Sequence, residues 1–249
     1  MRRVIGLAIA AVTLLAWVYL FHLSRQMSAA AADDARMAAM GMAVTAQWTR
    51  TDVFLTFVMW TVMMVGMMAP SVTPVLLLAA NAPRSERHVI PPVLLFGAGY
   101  LLVWVGFSAI ATVTQWLLHA GALLSPAMAA SSPRISGAIL IGAGLYQLTP
   151  LKNMCLTHCR SPIDFLMSHW RGGRAGPIRM GMHHGLYCLG CCWALMAVLF
   201  AVGVMNLAGV VILTVFILAE RVGRGGAIIS RVGGVAMIGV GVVLVAAGR

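Results

Sequence analysis

Long apolar stretches alternate with short polar segments along the chain. Most of these stretches are close in length to the about 20 mostly apolar residues that a helix needs to cross a bilayer. Helices are expected because, in lipid, the hydrogen bonds of each backbone amide must be satisfied within its own segment. We therefore predict an all-α fold, a polytopic transmembrane helical bundle of about seven spans. The predicted spans are 4–21, 53–80, 92–118, 135–148, 185–204, 207–219 and 227–247. Only Met205 and Asn206 separate the fifth and sixth, which indicates a tight helical hairpin or one broken helix.

The first stretch has two interpretations. Arg2, Arg3 and the small residues at 29–32 are typical of a secretory signal peptide, but the apolar run is longer than the usual 7–15-residue core. We favour a retained anchor; cleavage would leave six spans. Residues 1–50 are then an N-terminal membrane anchor with an outer methionine-bearing segment, and residues 51–249 form the helical membrane domain.

Composition supports a membrane protein. The 249 residues are 61% hydrophobic and 9% charged, whereas soluble domains carry about 25% charged residues. The net charge of +11 comes from lysines and arginines between the apolar stretches. It therefore indicates topology in a lipid bilayer rather than binding to nucleic acid. Counting these residues predicts an N-in, C-out orientation, with most of them, including Lys152 and Arg221, on the cytoplasmic side.

The acidic residues all lie outside the predicted spans. Proton relays through a membrane need ionisable groups at depth, so the pattern argues against proton-coupled transport through intramembrane carboxylates. The six acids are Asp33, Asp34, Asp52, Glu86, Asp164 and Glu220.

All five cysteines fall in two clusters that also contain histidine. Helical spacing puts His184, Cys188 and Cys191 on one face, with Cys192 at its edge and His183 elsewhere. Packed together, the two clusters would offer soft ligands suited to Cu(I) or Zn(II). The alternatives are buried thiols that pack as small hydrophobic side chains, or disulfides, which the odd count and the reducing side disfavour. The predicted metal ligands are Cys155, His158, Cys159, His184, Cys188, Cys191 and Cys192.

The second apolar stretch carries rows of methionines at helical spacing. A thioether binds Cu(I) without bringing charge into lipid, so the rows suggest a metal path, continued outward by Met37, Met40 and Met42. Packing of the helix core is the simpler explanation of such a row. The methionines of the possible path are Met59, Met63, Met64, Met67 and Met68.

Three blocks of sequence carry a family resemblance. The segments MWTVMMVGMMAPSVTP (59–74), YQLTPLKNMCLTHCRSP (146–162) and 182–220, which contains HHGLYCLGCCWALM, are similar to a bacterial family of predicted metal-binding integral membrane proteins with a domain of unknown function. The resemblance covers most of the chain after residue 51. It implies a multi-pass protein of the bacterial inner membrane and points to the same cysteines and histidines.

The favoured hypothesis is a membrane protein that binds a soft metal ion, copper rather than zinc, at the cytoplasmic face and transports or delivers it. A metallochaperone or a membrane cuproenzyme would be its partner. One alternative is a thiol- or metal-dependent membrane oxidoreductase, since Cys188 and Cys191 form C-x-x-C where we expect a helix to begin. Another is an assembly partner stabilised by structural zinc. No hydrolase or P-loop motif is present, so the sequence supports neither a hydrolase nor an ATP-driven pump, and a non-enzymatic role is favoured over an enzyme.

Overall fold

Apart from an isolated bridge between Leu124 and Ala130, the regular secondary structure of the described residues is α-helical. The computed structural model describes residues 2–40, 48–79, 92–121, 123–124, 129–168, 175–223 and 225–248. Within these ranges the helices are α1 (Arg2–Ala39), α2 (Arg50–Ala79), α3 (Pro92–Ala120), α4 (Pro133–Gln147), α5 (Pro150–Arg160), α6 (Pro162–Ser168), α7 (Gly176–Val202), α8 (Leu207–Val222) and α9 (Gly226–Ala247). The predicted all-α fold is confirmed.

Among the described residues, five helical segments are long and apolar enough to cross a membrane: Arg3–Ala30, Arg50–Ala79, Pro92–Ala120, Gly176–Val202 and Gly226–Ala247. The fourth and sixth predicted spans also form helices, α4 and α8, but these have only 15 and 16 residues. At about 1.5 Å per residue, both are shorter than a hydrocarbon core of about 30 Å. The predicted count of seven is therefore not confirmed, and the orientation stays a prediction.

Helix α1 lies along the outside of the bundle. It extends well past the predicted first span and packs on α2 through Ala16 and Leu20, next to Gly66. Met37 belongs to α1, and the exposed Met40 follows it. Met42 lies outside the described residues.

Glycine lets α3 and α7 pack backbone against backbone. A Cβ at Gly99 would overlap the carbonyl oxygen of Ile178, and one at Gly181 would overlap that of Phe96. Small residues allow this close approach between membrane helices. The contact holds Tyr100, which follows Gly99, against α7.

Local capping sets the ends of the helices around the site. Thr149 caps α5 by accepting a hydrogen bond from the amide of Lys152 (3.3 Å), with Pro150 at the first helical position. Helix α7 ends before Gly203, whose φ of 104° favours glycine. Asn206 then caps α8 by accepting from the amide of Gly209 (3.2 Å). The fifth and sixth apolar stretches are thus two separate helices.

Candidate metal centre

Helix α7 presents the second Cys/His cluster to the protein interior. His184, Cys188, Cys191 and Cys192 are each at most 3% exposed, whereas His183 is exposed. Helical spacing predicted this difference between the shared face of His184, Cys188 and Cys191 and the position of His183.

The helix begins earlier than predicted. We expected the fifth span to start at residue 185, but α7 starts at Gly176, so Cys188 lies about three turns inside it. The effect of the helix dipole is confined to the first turn. Activation of Cys188 and Cys191 by a helix N-terminus, on which the oxidoreductase hypothesis depended, is therefore wrong.

Helix α5 brings a cysteine from a second helix to this face. The sulfur atoms of Cys159 and Cys191 are 4.0 Å apart. Hydrogen bonds with the thiols of Cys188 and Cys191, followed by burial, raise the pKa of the Cys159 thiol well above its usual value. As a residue, Cys159 is partly buried, whereas Cys188, Cys191 and Cys192 are buried.

The other two predicted ligands on α5 are directed elsewhere. The Cys155 sulfur packs against Gly190, 2.9 Å from where a Cβ would stand, and no hydrogen bond joins it to another thiol in the described part of the chain. Burial raises the pKa of the Cys155 thiol. The His158 ring stacks on Tyr187 at 4.5 Å between centroids, and its Nδ1 lies 2.8 Å from the carbonyl oxygen of Met154.

His184 lies in an aromatic enclosure. Its ring centroid is 4.9 Å from that of Phe165, 5.9 Å from Tyr100 and 6.0 Å from Phe96. Its Nδ1 is buried without a hydrogen-bond partner in the described structure. A buried polar atom left unsatisfied costs roughly 1–3 kcal/mol, so this imidazole nitrogen is available for a ligand.

Hydrogen bonds to main chain and tyrosine occupy the thiols of α7. Cys191 and Cys192 both donate to the carbonyl oxygen of Cys188, at 3.2 and 3.0 Å. The Tyr100 hydroxyl is 2.9 Å from the Cys188 sulfur. In this arrangement, the described residues contain no group of three or more His, Cys, Asp or Glu side chains placed to hold a metal ion.

Arg221 is the residue of this cluster that sequence analysis missed. We placed it in a cytoplasmic segment, but α8 continues through Val222 and buries Arg221 to 8% exposure. Its Nη2 is 3.1 Å from the Cys191 sulfur and 3.6 Å from that of Cys192, and its Nη1 is 2.6 Å from the Ser71 hydroxyl. The only sign in the sequence that Arg221 could be buried was its position directly after an apolar run and next to Glu220.

A buried ion pair lies beside the cluster and corrects a second prediction. Lys152 Nζ is 2.7 and 2.9 Å from the two carboxylate oxygens of Glu220, and Gln147 Nε2 donates to the same carboxylate at 3.1 Å. Both charged residues are at most 2% exposed. Glu220 was expected outside the apolar spans, but the helix carries it into the core, where Lys152 compensates its charge.

The methionine rows of α2 face the core. All five residues of the predicted path are at most 4% exposed, and Trp60 beside them donates to Gln115 Oε1 at 2.7 Å. Ser71, one turn after Met67, reaches Arg221. The C-terminal end of the row therefore approaches the cysteines of α7 through this Ser71–Arg221 contact.

Comparison with known proteins bears directly on this cysteine cluster. A family model described as PpoB2, copper chaperone, matches residues 57–244. The chain belongs to this family. The match includes both cysteine clusters, the methionine rows, Arg221 and the Lys152–Glu220 pair, and it begins after α1. A relationship to a copper-related family is thus confirmed, while the division of the chain at residue 50 stays a prediction. Neither the curated proteins nor the solved structures gave a match.

Proposed function

We propose that this copper chaperone family member is an integral protein of the bacterial inner membrane that binds Cu(I) at its cytoplasmic face and delivers it. The binding site is the thiol cluster formed by Cys159 of α5 with Cys188, Cys191 and Cys192 of α7. The observation that carries the proposal is the 4.0 Å approach of the Cys159 and Cys191 sulfurs across two helices. An ion about 2.3 Å from each sulfur fits between them.

His184 supports the same assignment. Thiolate and imidazole are ligands that Cu(I) accepts, and the His184 Nδ1 is buried without a hydrogen-bond partner among the described residues. A change of side-chain rotamer would release Cys191 and Cys192 from the Cys188 carbonyl and turn them toward the ion. Copper is the cargo, which the thiols bind and then pass to a partner protein.

Delivery is proposed to proceed through Cys159. It is the partly exposed member of the cluster, on a short helix rather than within one of the five long helices. A metallochaperone or a membrane cuproenzyme that approached α5 would reach this sulfur first. The copper ion would then pass by stepwise exchange of thiolate ligands.

Copper loading of the purified protein tests the proposal. The reduced protein, in detergent and without oxygen, is expected to hold about one Cu(I) per chain against a chelator competitor, since a single cluster of soft ligands is offered. Protein alkylated at its cysteines is the control and should take up none. Zinc retained with no Cu(I) uptake would favour the structural-zinc alternative; a redox-active dithiol without bound metal would favour the oxidoreductase.

We further propose that Cu(I) reaches the cluster along the methionine row. The double variant Met63→Leu/Met67→Leu preserves apolar volume and removes two thioether sulfurs. In vesicles, Cu(I) added to the outside should bind the cysteines and protect them from alkylation, and this protection should develop more slowly in the variant than in the wild type. The Cu(I) affinity of the variant in detergent should be unchanged. Met167→Leu, at an exposed position of α6, is the matched control. Equal protection rates in the double variant and the wild type would mean that the row only packs the core.

A further inference from the structure

We propose that Arg221 makes the thiol cluster selective for a monovalent metal ion, by providing the single positive charge that balances a Cu(I) dithiolate. The inference rests on the proposed function and adds a residue that determines its specificity. It arises from one feature of α8: a buried guanidinium placed directly against the thiols.

The contacts of Arg221 converge on the cysteines. Besides the sulfurs of Cys191 and Cys192, its Nη2 approaches the carbonyl oxygen of Cys188 at 3.3 Å. On its other side Nη1 meets the neutral Ser71 hydroxyl. The thiols are therefore the groups around Arg221 that are able to carry negative charge.

No carboxylate is available to this arginine in the described structure. Glu220 is adjacent in sequence, but its two oxygens contact Lys152, and the described ion pairs include none with Arg221. A buried charge without a counter-ion is strongly unfavourable. Arg221 thus favours any state of the cluster that carries one net negative charge.

The charge balance distinguishes monovalent from divalent ions. The Cys159 and Cys191 sulfurs, 4.0 Å apart, bind the ion as two thiolates while Cys188 and Cys192 stay neutral thiols. With Cu(I) this pair carries one net negative charge, and Arg221 brings the sum to zero. The same two thiolates with Zn(II) are neutral, so the charge of Arg221 would remain uncompensated. In a buried site, where solvent screens charges weakly, this difference favours the monovalent ion.

Substitution of Arg221 tests the charge balance, with Cu(I) and Zn(II) affinities measured by chelator competition on the same detergent-purified protein. Arg221→Met is expected to lower the Cu(I) affinity by about 10–100-fold, the usual effect of losing an outer-shell partner, and to leave the Zn(II) affinity unchanged or higher. Arg221→Lys keeps the charge and should keep the preference for Cu(I). Arg134→Met is the control. Arg134 lies at the N-terminal end of α4, where it donates a hydrogen bond to the carbonyl oxygen of Gly248, whereas Gln147, next to Glu220, lies at the other end of that helix.

The outcomes separate the two proposals. Wild-type protein that binds no Cu(I) would overturn the proposed function and this inference together. Wild-type protein that binds Cu(I) and Zn(II) equally well would overturn the inference alone. An equal loss of both metals in Arg221→Met would make Arg221 a structural residue, and a loss of the Cu(I) preference in Arg221→Lys would show that charge does not set it. Each of these last two results also overturns the inference.

Discussion

Replacement of Cys191 by serine is expected to lower the affinity for Cu(I) by more than about 100-fold, the upper range for losing only an outer-shell partner. Cys191 is the sulfur shared by the contacts of the cluster: it faces Cys159 across the helices at 4.0 Å and Arg221 at 3.1 Å. Serine has nearly the same shape, but its hydroxyl is a hard, weakly acidic ligand for a soft ion. Chelator competition at fixed pH under reducing conditions measures the change.

Variants of the two cysteines of α5 sharpen this result. Cys159→Ser should reduce the Cu(I) affinity as strongly as Cys191→Ser, since the proposed site needs both helices. Cys155→Ser should change it by less than about tenfold, because the Cys155 sulfur packs on Gly190 instead. A large loss in Cys155→Ser would mean that the sequence-based ligand set, which includes Cys155, describes the site better than the structural cluster does.

Replacement of Lys152 by methionine is expected to destabilise the protein by about 3–5 kcal/mol. The change leaves the Glu220 carboxylate, 2% exposed, without its cation. At roughly 2–4 °C per kcal/mol for a chain of this size, the unfolding midpoint should fall by roughly 6–20 °C. Thermal unfolding of the metal-free protein in detergent, followed by circular dichroism, measures the shift.

A double variant identifies the cause. Lys152→Met with Glu220→Gln removes both charges, so it should recover much of the lost stability, as replacement of whole buried ion pairs often does. Glu220→Gln alone leaves a buried ammonium and should be destabilised like Lys152→Met. If the double variant is as unstable as Lys152→Met, packing of the lysine chain, rather than charge pairing, maintains the contact between α5 and α8.

The sequence predicted the helices and the buried face of α7 well. Apolar length alone marked every segment that became a long helix, because lipid and a helical core both select continuous apolar sequence. Spacing of about 100° per residue then separated buried His184 and Cys188 from exposed His183. These features are local: they depend on the chain within a few turns of one helix.

Only the tertiary structure decided which polar groups meet. Composition treated Lys152 and Arg221 alike, as basic residues of a cytoplasmic flank, yet one pairs with Glu220 and the other contacts the thiols of α7. Cys155 and Cys159 are one turn apart on α5, but only Cys159 reaches Cys191. The reason is that a sequence pattern fixes which residues share a face of one helix, whereas the partner of that face depends on where distant helices pack.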